Sequence, residues 1–151
     1  MSAQGVLEVE FVPGDRTTHS VRLAVHNLVL LGSDNRALAG RMTVTCAELV
    51  ETLGRRLGAS GKVRLRLTLD PSTARVEASC ELPDDGAQTI EKALRAANQD
   101  QPMEAYTHAL GREEVEGQLG LARIRYEGQM ALSSKRSGRQ FALLAQSNAQ
   151  G

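Results

Sequence analysis

One stretch limits the fold more than any other: KVRLRLTLDPSTARVEASCEL, residues 62–82. Val63, Leu65, Leu67 and Leu69 alternate with Arg64, Arg66 and Thr68, and beyond the turn residues DPST the alternation resumes, with Val76, Ala78, Cys80 and Leu82 set against Glu77, Ser79 and Glu81. A period of two places every apolar side chain on one side of a pleated strand, whereas a helix would scatter these residues around its circumference. The segment is therefore an antiparallel hairpin with one buried face and one solvated face carrying charges of both signs. Such a sheet needs covering on one side only.

The rest of the chain supplies that cover. GVLEVEFV sets Leu7, Val9 and Phe11 against Glu8 and Glu10, which gives another strand of the same kind. VRLAVHNLVLL, residues 21–31, is dense enough in apolar residues to read as a helix covered on most sides, ended by LGSDN. In the following helix Met42, Cys46, Leu49, Val50, Leu53 and Leu57 form one stripe, Arg41, Thr45, Glu48, Thr52 and Arg55 line the other side, and GASG closes it. After PDDG breaks the hairpin, Ile90, Leu94 and Ala97 mark a helix; past DQP, Met103, Tyr106 and Leu110 mark a second, short one. GREEVEGQLG reads as a polar loop opening another short helix. MALS and QFALLA form a closing hairpin around the turn SKRSG, where Lys135 and Arg136, with Arg139 just after it, make a solvated basic cluster, and residues 146–151 form a flexible tail. Tyr106 and Tyr126 fall in helical periodicity, as core-edge packing. Residues 1–151 are thus expected to form one domain, a two-layer α+β sandwich with a mostly antiparallel sheet and helices on one face.

Charge and cysteine content narrow the function. Eighteen basic residues balance eighteen acidic ones, leaving no net field to attract a nucleic-acid backbone or an anionic membrane. No leader with a cleavage site and no apolar run long enough for a bilayer is present, so no membrane insertion and a cytoplasmic location are expected. Cys46 and Cys80 both fall on apolar faces and read as reduced core thiols; three scattered histidines with no ligand spacing give a transition metal no support.

CAELVETLGRRLG, residues 46–58, carries the first functional pattern: Glu48 and Thr52 lie one turn apart on the polar side of their helix. On the residues alone, Glu48 is either a solvated carboxylate paired with Arg41 or Arg55 or a general base. DDGAQ, residues 84–88, is either a turn whose aspartates Asp84 and Asp85 cap the next helix or a binding loop, and GQLGLA, residues 117–122, is either a plain helix entry or a phosphate cradle. In order and spacing these three places, and the layout from about residue 16 to 145, resemble the histidine-kinase-like (GHKL) ATPases, a family that includes the bacterial anti-sigma-factor kinases and the SiaB-type protein kinases.

That resemblance implies roles. Glu48 would orient or activate a water or hydroxyl, and Thr52 would take the place of the asparagine that ligates Mg²⁺. Asp84 and Gly86 would match the adenine-reading Asp-x-Gly, with Gln88 where a further glycine is expected; Gly117 and Gly120 would match the glycine-rich lid, which here lacks one glycine. With the motifs so altered, the resemblance implies a cytosolic signalling protein with a degenerate ATP pocket. It would work by binding a protein partner, STAS-like or another signalling or assembly protein, with no cofactor. The alternative is an active Ser/Thr protein kinase using ATP and magnesium, and a third reading is a structural subunit with no pocket. Residues 21–31 are either core packing or a surface for a partner or a second copy, so a homodimer is one assembly to test.

Overall fold

The computed structural model describes residues 5–58 and 61–148. Strand β1 (Gly5–Phe11) leads into α1 (Asp15–Ser33) and α2 (Arg36–Gly54); the hairpin β2 (Val63–Leu69) and β3 (Thr73–Glu81) follows, then α3 (Asp84–Ala97), α4 (Pro102–Gly111), α5 (Gln118–Tyr126) and the hairpin β4 (Ala131–Ser137) and β5 (Gln140–Asn148). All neighbouring strands run antiparallel in the order β1-β2-β3-β5-β4. The helices pack on one face, so the fold is the two-layer α+β sandwich expected from the alternating hairpin.

The central hairpin forms as its pattern requires. Val63, Leu65, Leu67 and Leu69 are buried, Arg64 and Arg66 are exposed, and Leu65 stands opposite Ala78 in the register. Its turn is held by Asp70, whose Oδ1 accepts hydrogen bonds from the Ser72 and Thr73 amides at 2.9 and 2.7 Å. On the solvated face Arg64 pairs with Glu8 and Glu10 of β1, and Lys135 pairs with Glu77.

The two long helices exchange the roles the sequence suggested. In α1 only Val21, Val25 and Val29 are buried, one residue per turn, while Leu23 and Leu31 are exposed. It is α2 that is covered on most sides. Its stripe from Met42 to Leu53 packs on β2 and β3, and its polar side is covered as well, with Thr45 and Thr52 buried. The apolar density of α1 exceeds what one buried stripe needs, whereas the polar residues of α2 disguise a helix enclosed by neighbours. Between the two, Asp34 adopts left-handed backbone at the end of α1 and Asn35 caps α2 by accepting from the Leu38 amide at 3.0 Å.

Other expectations need correction. Helix α2 ends at Gly54, before GASG, of which residues 59 and 60 lie outside the described residues. Helix α4 forms where Met103, Tyr106 and Leu110 suggest it, but it buries Ala105 and Ala109 while Met103 and Leu110 face outward. Lys135 and Arg136 lie in β4 rather than in a turn, since the turn is tightened by Gly138 at φ 59°. Gln146, Ser147 and Asn148, expected in the tail, continue β5 opposite Arg75, Ala74 and Thr73; the remainder of the tail lies outside the described residues. Cys46 and Cys80 are buried and unpaired; burial pushes their thiols up to about 12 and about 11.

Candidate functional site

The polar side of α2 owes its environment to α5, a short helix that crosses it after the 112–117 loop. Gly117 begins α5 in left-handed backbone (φ 96°), which glycine adopts without cost, and a Cβ there would meet Thr52 Cγ2 and Ala93 Cβ at 3.8 Å. One turn on, Gly120 lies against Glu48. A Cβ on Gly120 would come within 2.5 Å of Glu48 Oε2 and 3.8 Å of Thr52 Oγ1, so this glycine permits the helices' close approach. Four of the sequence-selected residues, Glu48, Thr52, Gly117 and Gly120, thus meet at one place between α2 and α5.

Glu48 Oε1, Arg123 Nη1 and Thr52 Oγ1 each have a protein hydrogen-bond partner there, while the buried Arg123 Nε makes no hydrogen bond. The Glu48 carboxylate is largely covered (13% exposed) and accepts from Arg123 Nη1 of α5 at 3.0 Å, while Arg123 also reaches Glu127 at 3.4 Å. A side-chain hydrogen bond with Tyr106 raises Arg123 above the ordinary arginine range, partial burial opposes this, and Glu48 raises it further. The Thr52 hydroxyl donates to the Glu48 carbonyl one turn back, at 2.7 Å.

The start of α5 is closed in the same way. Its Leu119 amide, one of the free donors of a first helical turn, donates to Glu113 Oε2 at 2.8 Å. Gln118, buried, folds its side-chain oxygen back onto the amides of Glu114 and Val115 at 3.0 and 3.2 Å and so fixes the preceding loop. At the other end Gly128 packs against α2, where a Cβ would come within 2.5 Å of both the Ile124 carbonyl oxygen and Thr45 Oγ1.

Asp84 and Gly86 are not brought into this cluster. Asp84 lies exposed in the first turn of α3 and pairs with Arg136 at 3.4 Å; Asp85 Oδ1 accepts from the Gly86 amide, and Gly86 is buried beside Arg56. Arg56 in turn pairs with Glu116 at 2.7 Å, which leaves Gly86 at the margin of the α5 loop. Arg123, Glu113, Gln118 and Gly128 complete the arrangement but were not singled out by the sequence. Only Gly128 had a local signal, a glycine just past a helical run; the Arg123–Glu48 contact joins residues far apart in the chain.

Open surface lies elsewhere. A cleft of about 340 Å³ on the solvated face of the sheet is lined by Arg64, Arg66, Glu77 and Lys135 among others, and a groove of about 550 Å³ runs between the start of α1 and the end of α2. Neither includes Glu48, Thr52, Gly117 or Gly120. Among the described residues no three histidines, cysteines or carboxylates are grouped as a metal site, and no helix is long and apolar enough to cross a membrane.

No known protein-family profile matches the chain, and no curated protein matches it. Solved structures do. A chain of the crystal structure of the SiaB–SiaC complex from Pseudomonas aeruginosa superposes with a TM-score of 0.70 and 15% identity, over 94% of this chain and 89% of that one. The likeness places the protein in a SiaB-like fold.

Proposed function

We propose that this protein is a regulatory binding protein of the partner-switching kind, whose ancestral nucleotide site has been closed by its own α5. The observation that carries the reading is the packing of α5 on α2: a methyl group at Gly120 would press on the Glu48 carboxylate, which Arg123 of the same helix already holds at 3.0 Å. A magnesium ion holding a nucleotide needs near-octahedral oxygen ligands at about 2.1 Å and retains several waters. Beside Thr52, α5 comes close enough that a Cβ on Gly117 or Gly120 would lie 3.8 Å from its side chain, and the Thr52 hydroxyl is turned to its own helix. Glu113 stands at the helix N-terminus where a phosphate would be cradled, and Arg123 neutralises the carboxylate that would activate a hydroxyl. As placed, these residues do not fit Mg–ATP, and no phosphoryl transfer is derived through them.

What remains is a rigid scaffold that presents surface. The matched structure is a complex of SiaB with SiaC, and by analogy the partner here is a SiaC-like or STAS-like signalling protein. One observation favours the second reading, an ATP-dependent Ser/Thr kinase: Glu48, Thr52 and Gly120 do converge. For that activity α5 would have to withdraw from α2 and break the Arg123–Glu48 contact.

The test uses the partner isolated from the protein's own host and re-formed into a complex from purified components. Complex formation is expected to be unchanged by Thr52→Ala, by added Mg–ATP and by EDTA. Dissociation on chelation would defeat the reading, because a site that has given up its nucleotide has no need of the ion.

A further inference from the structure

Helix α4 is built inside out. Its large apolar residues Met103, Tyr106 and Leu110 follow one another at three- and four-residue steps, yet Met103 is 61% and Leu110 57% exposed, and the side turned to α5 carries Ala105 and Ala109. Tyr106 stacks on Tyr126 of α5, centroids 5.3 Å apart, and Tyr126 is itself exposed. A continuous apolar strip therefore runs along α4 and onto α5, and it holds both tyrosines of a chain with only two phenylalanines and no tryptophan. Aromatic residues and methionine are the side chains that interface centres favour.

The segment that carries this strip has an acidic excess in a chain that is neutral as a whole. Residues 100–127 contain six carboxylates and three arginines. Arg125 donates to the carbonyls of Ala97 and Asp100, Arg123 is engaged with Glu48 and Glu127, and Arg112 is exposed past the end of α4; of the carboxylates, Glu114 and Glu116 pair with His108 and Arg56, and Glu113 accepts from the Leu119 amide. Glu104, beside Met103, is exposed and has no ion-pair partner among the described residues. A second copy of the chain, docked by a two-fold axis on this strip, would set the acidic segment against itself. The opposite charge is required.

We infer that the Met103–Tyr106–Leu110 face of α4, continued by Tyr126, docks a protein helix with an apolar ridge flanked by lysine or arginine. The inference deepens the partner-binding reading above and rests on it. The apolar ridge would fill the strip, with α4 recognised through its i, i+3 and i+7 positions, and the basic flanks would steer encounter with the acidic segment.

The test uses two designed peptides, an amphipathic helix with a leucine ridge flanked by lysines and its twin with glutamates in place of the lysines, each titrated by fluorescence anisotropy. The lysine probe is expected to bind at least about tenfold more tightly than its twin, and more weakly as NaCl is raised. The double variant Met103→Ser/Leu110→Ser, both exposed and so expected to fold normally by circular dichroism, should weaken the lysine probe at least about tenfold. Leu31→Ser, on the exposed side of α1, should leave it unchanged. Equal affinity for the two peptides, no binding, or binding that survives the double variant overturns the proposal. Loss with Leu31→Ser alone moves the docking surface to α1 and leaves the partner-binding reading standing. A requirement for Mg–ATP would count against that reading and not against this surface.

Discussion

Replacing Glu48 with alanine removes the carboxylate on which α5 is latched. The contact is a single 3.0 Å hydrogen bond between charged groups, with Glu48 13% and Arg123 39% exposed. A well-buried hydrogen bond to a charged group contributes about 1.5–3 kcal/mol. The exposure of Arg123, and its second partner Glu127, move the pair toward the exposed-pair range of about 0.2–1 kcal/mol. A coupling of about 1 kcal/mol is expected from the cycle Glu48→Ala, Arg123→Ala and the double variant. Glu48→Ala alone should cost about 1–2 kcal/mol, because the space beside Gly120 is also left unfilled. At about 2–4 °C per kcal/mol for a domain of this size, the midpoint falls by several degrees. Urea unfolding followed by far-ultraviolet circular dichroism reads all four proteins. If the single effects add to within about 0.3 kcal/mol, or if Glu48→Ala is as stable as the parent, then Glu48 does not latch α5 and the closed site is wrong.

Gly128→Ala forces a Cβ against a backbone carbonyl that cannot step aside, and should destabilise by about 1–3 kcal/mol in the same assay; unchanged stability would mean that α5 does not seat on Thr45 as described. With their thiols pushed up by burial, Cys46 and Cys80 should resist Ellman's reagent at pH 8 in the native state and react together on unfolding, whereas rapid native labelling of Cys46 would contradict the enclosed position of α2. The Asp70 carboxyl is held at about 2, below its ordinary 3.8, first by the Ser72 amide and then by Thr73. Between those values the unfolded chain binds the proton more readily, so the contribution of Asp70 is present above about pH 4 and is lost as pH falls through about 2. Asp70→Asn should therefore flatten the fall of the urea midpoint in that window; an unaltered slope would show that the turn does not hold the charge.

The hairpins were legible because a period of two fixes the buried face residue by residue, and Leu65 and Cys80 fell where the alternation put them. Element order was legible through turn residues such as PDDG and DQP. Burial of the helices was less so. Apolar periodicity shows that a helix has a sticky side, but not which of its apolar residues the chain covers: Leu23 and Leu31 of α1 and Met103 and Leu110 of α4 are exposed, whereas Met42 to Leu53 of α2 form the buried stripe. The cluster of Glu48, Thr52, Gly117 and Gly120 came from motif order. Its closure did not, since Arg123, Glu113 and Gln118 act through contacts that have no local spacing of their own.

The central claim is that α5 occupies the volume a nucleotide would need, and thermal unfolding in the presence of ATP, with magnesium and with EDTA in its place, tests it most directly. A ligand at one hundred times its dissociation constant stabilises the folded state by about 2.7 kcal/mol, which is several degrees for a domain of this size. The account predicts no magnesium-dependent shift even at millimolar ATP. A magnesium-dependent rise at micromolar ATP, abolished by Thr52→Ala, would contradict it and would establish Thr52 as a ligand in a working nucleotide site.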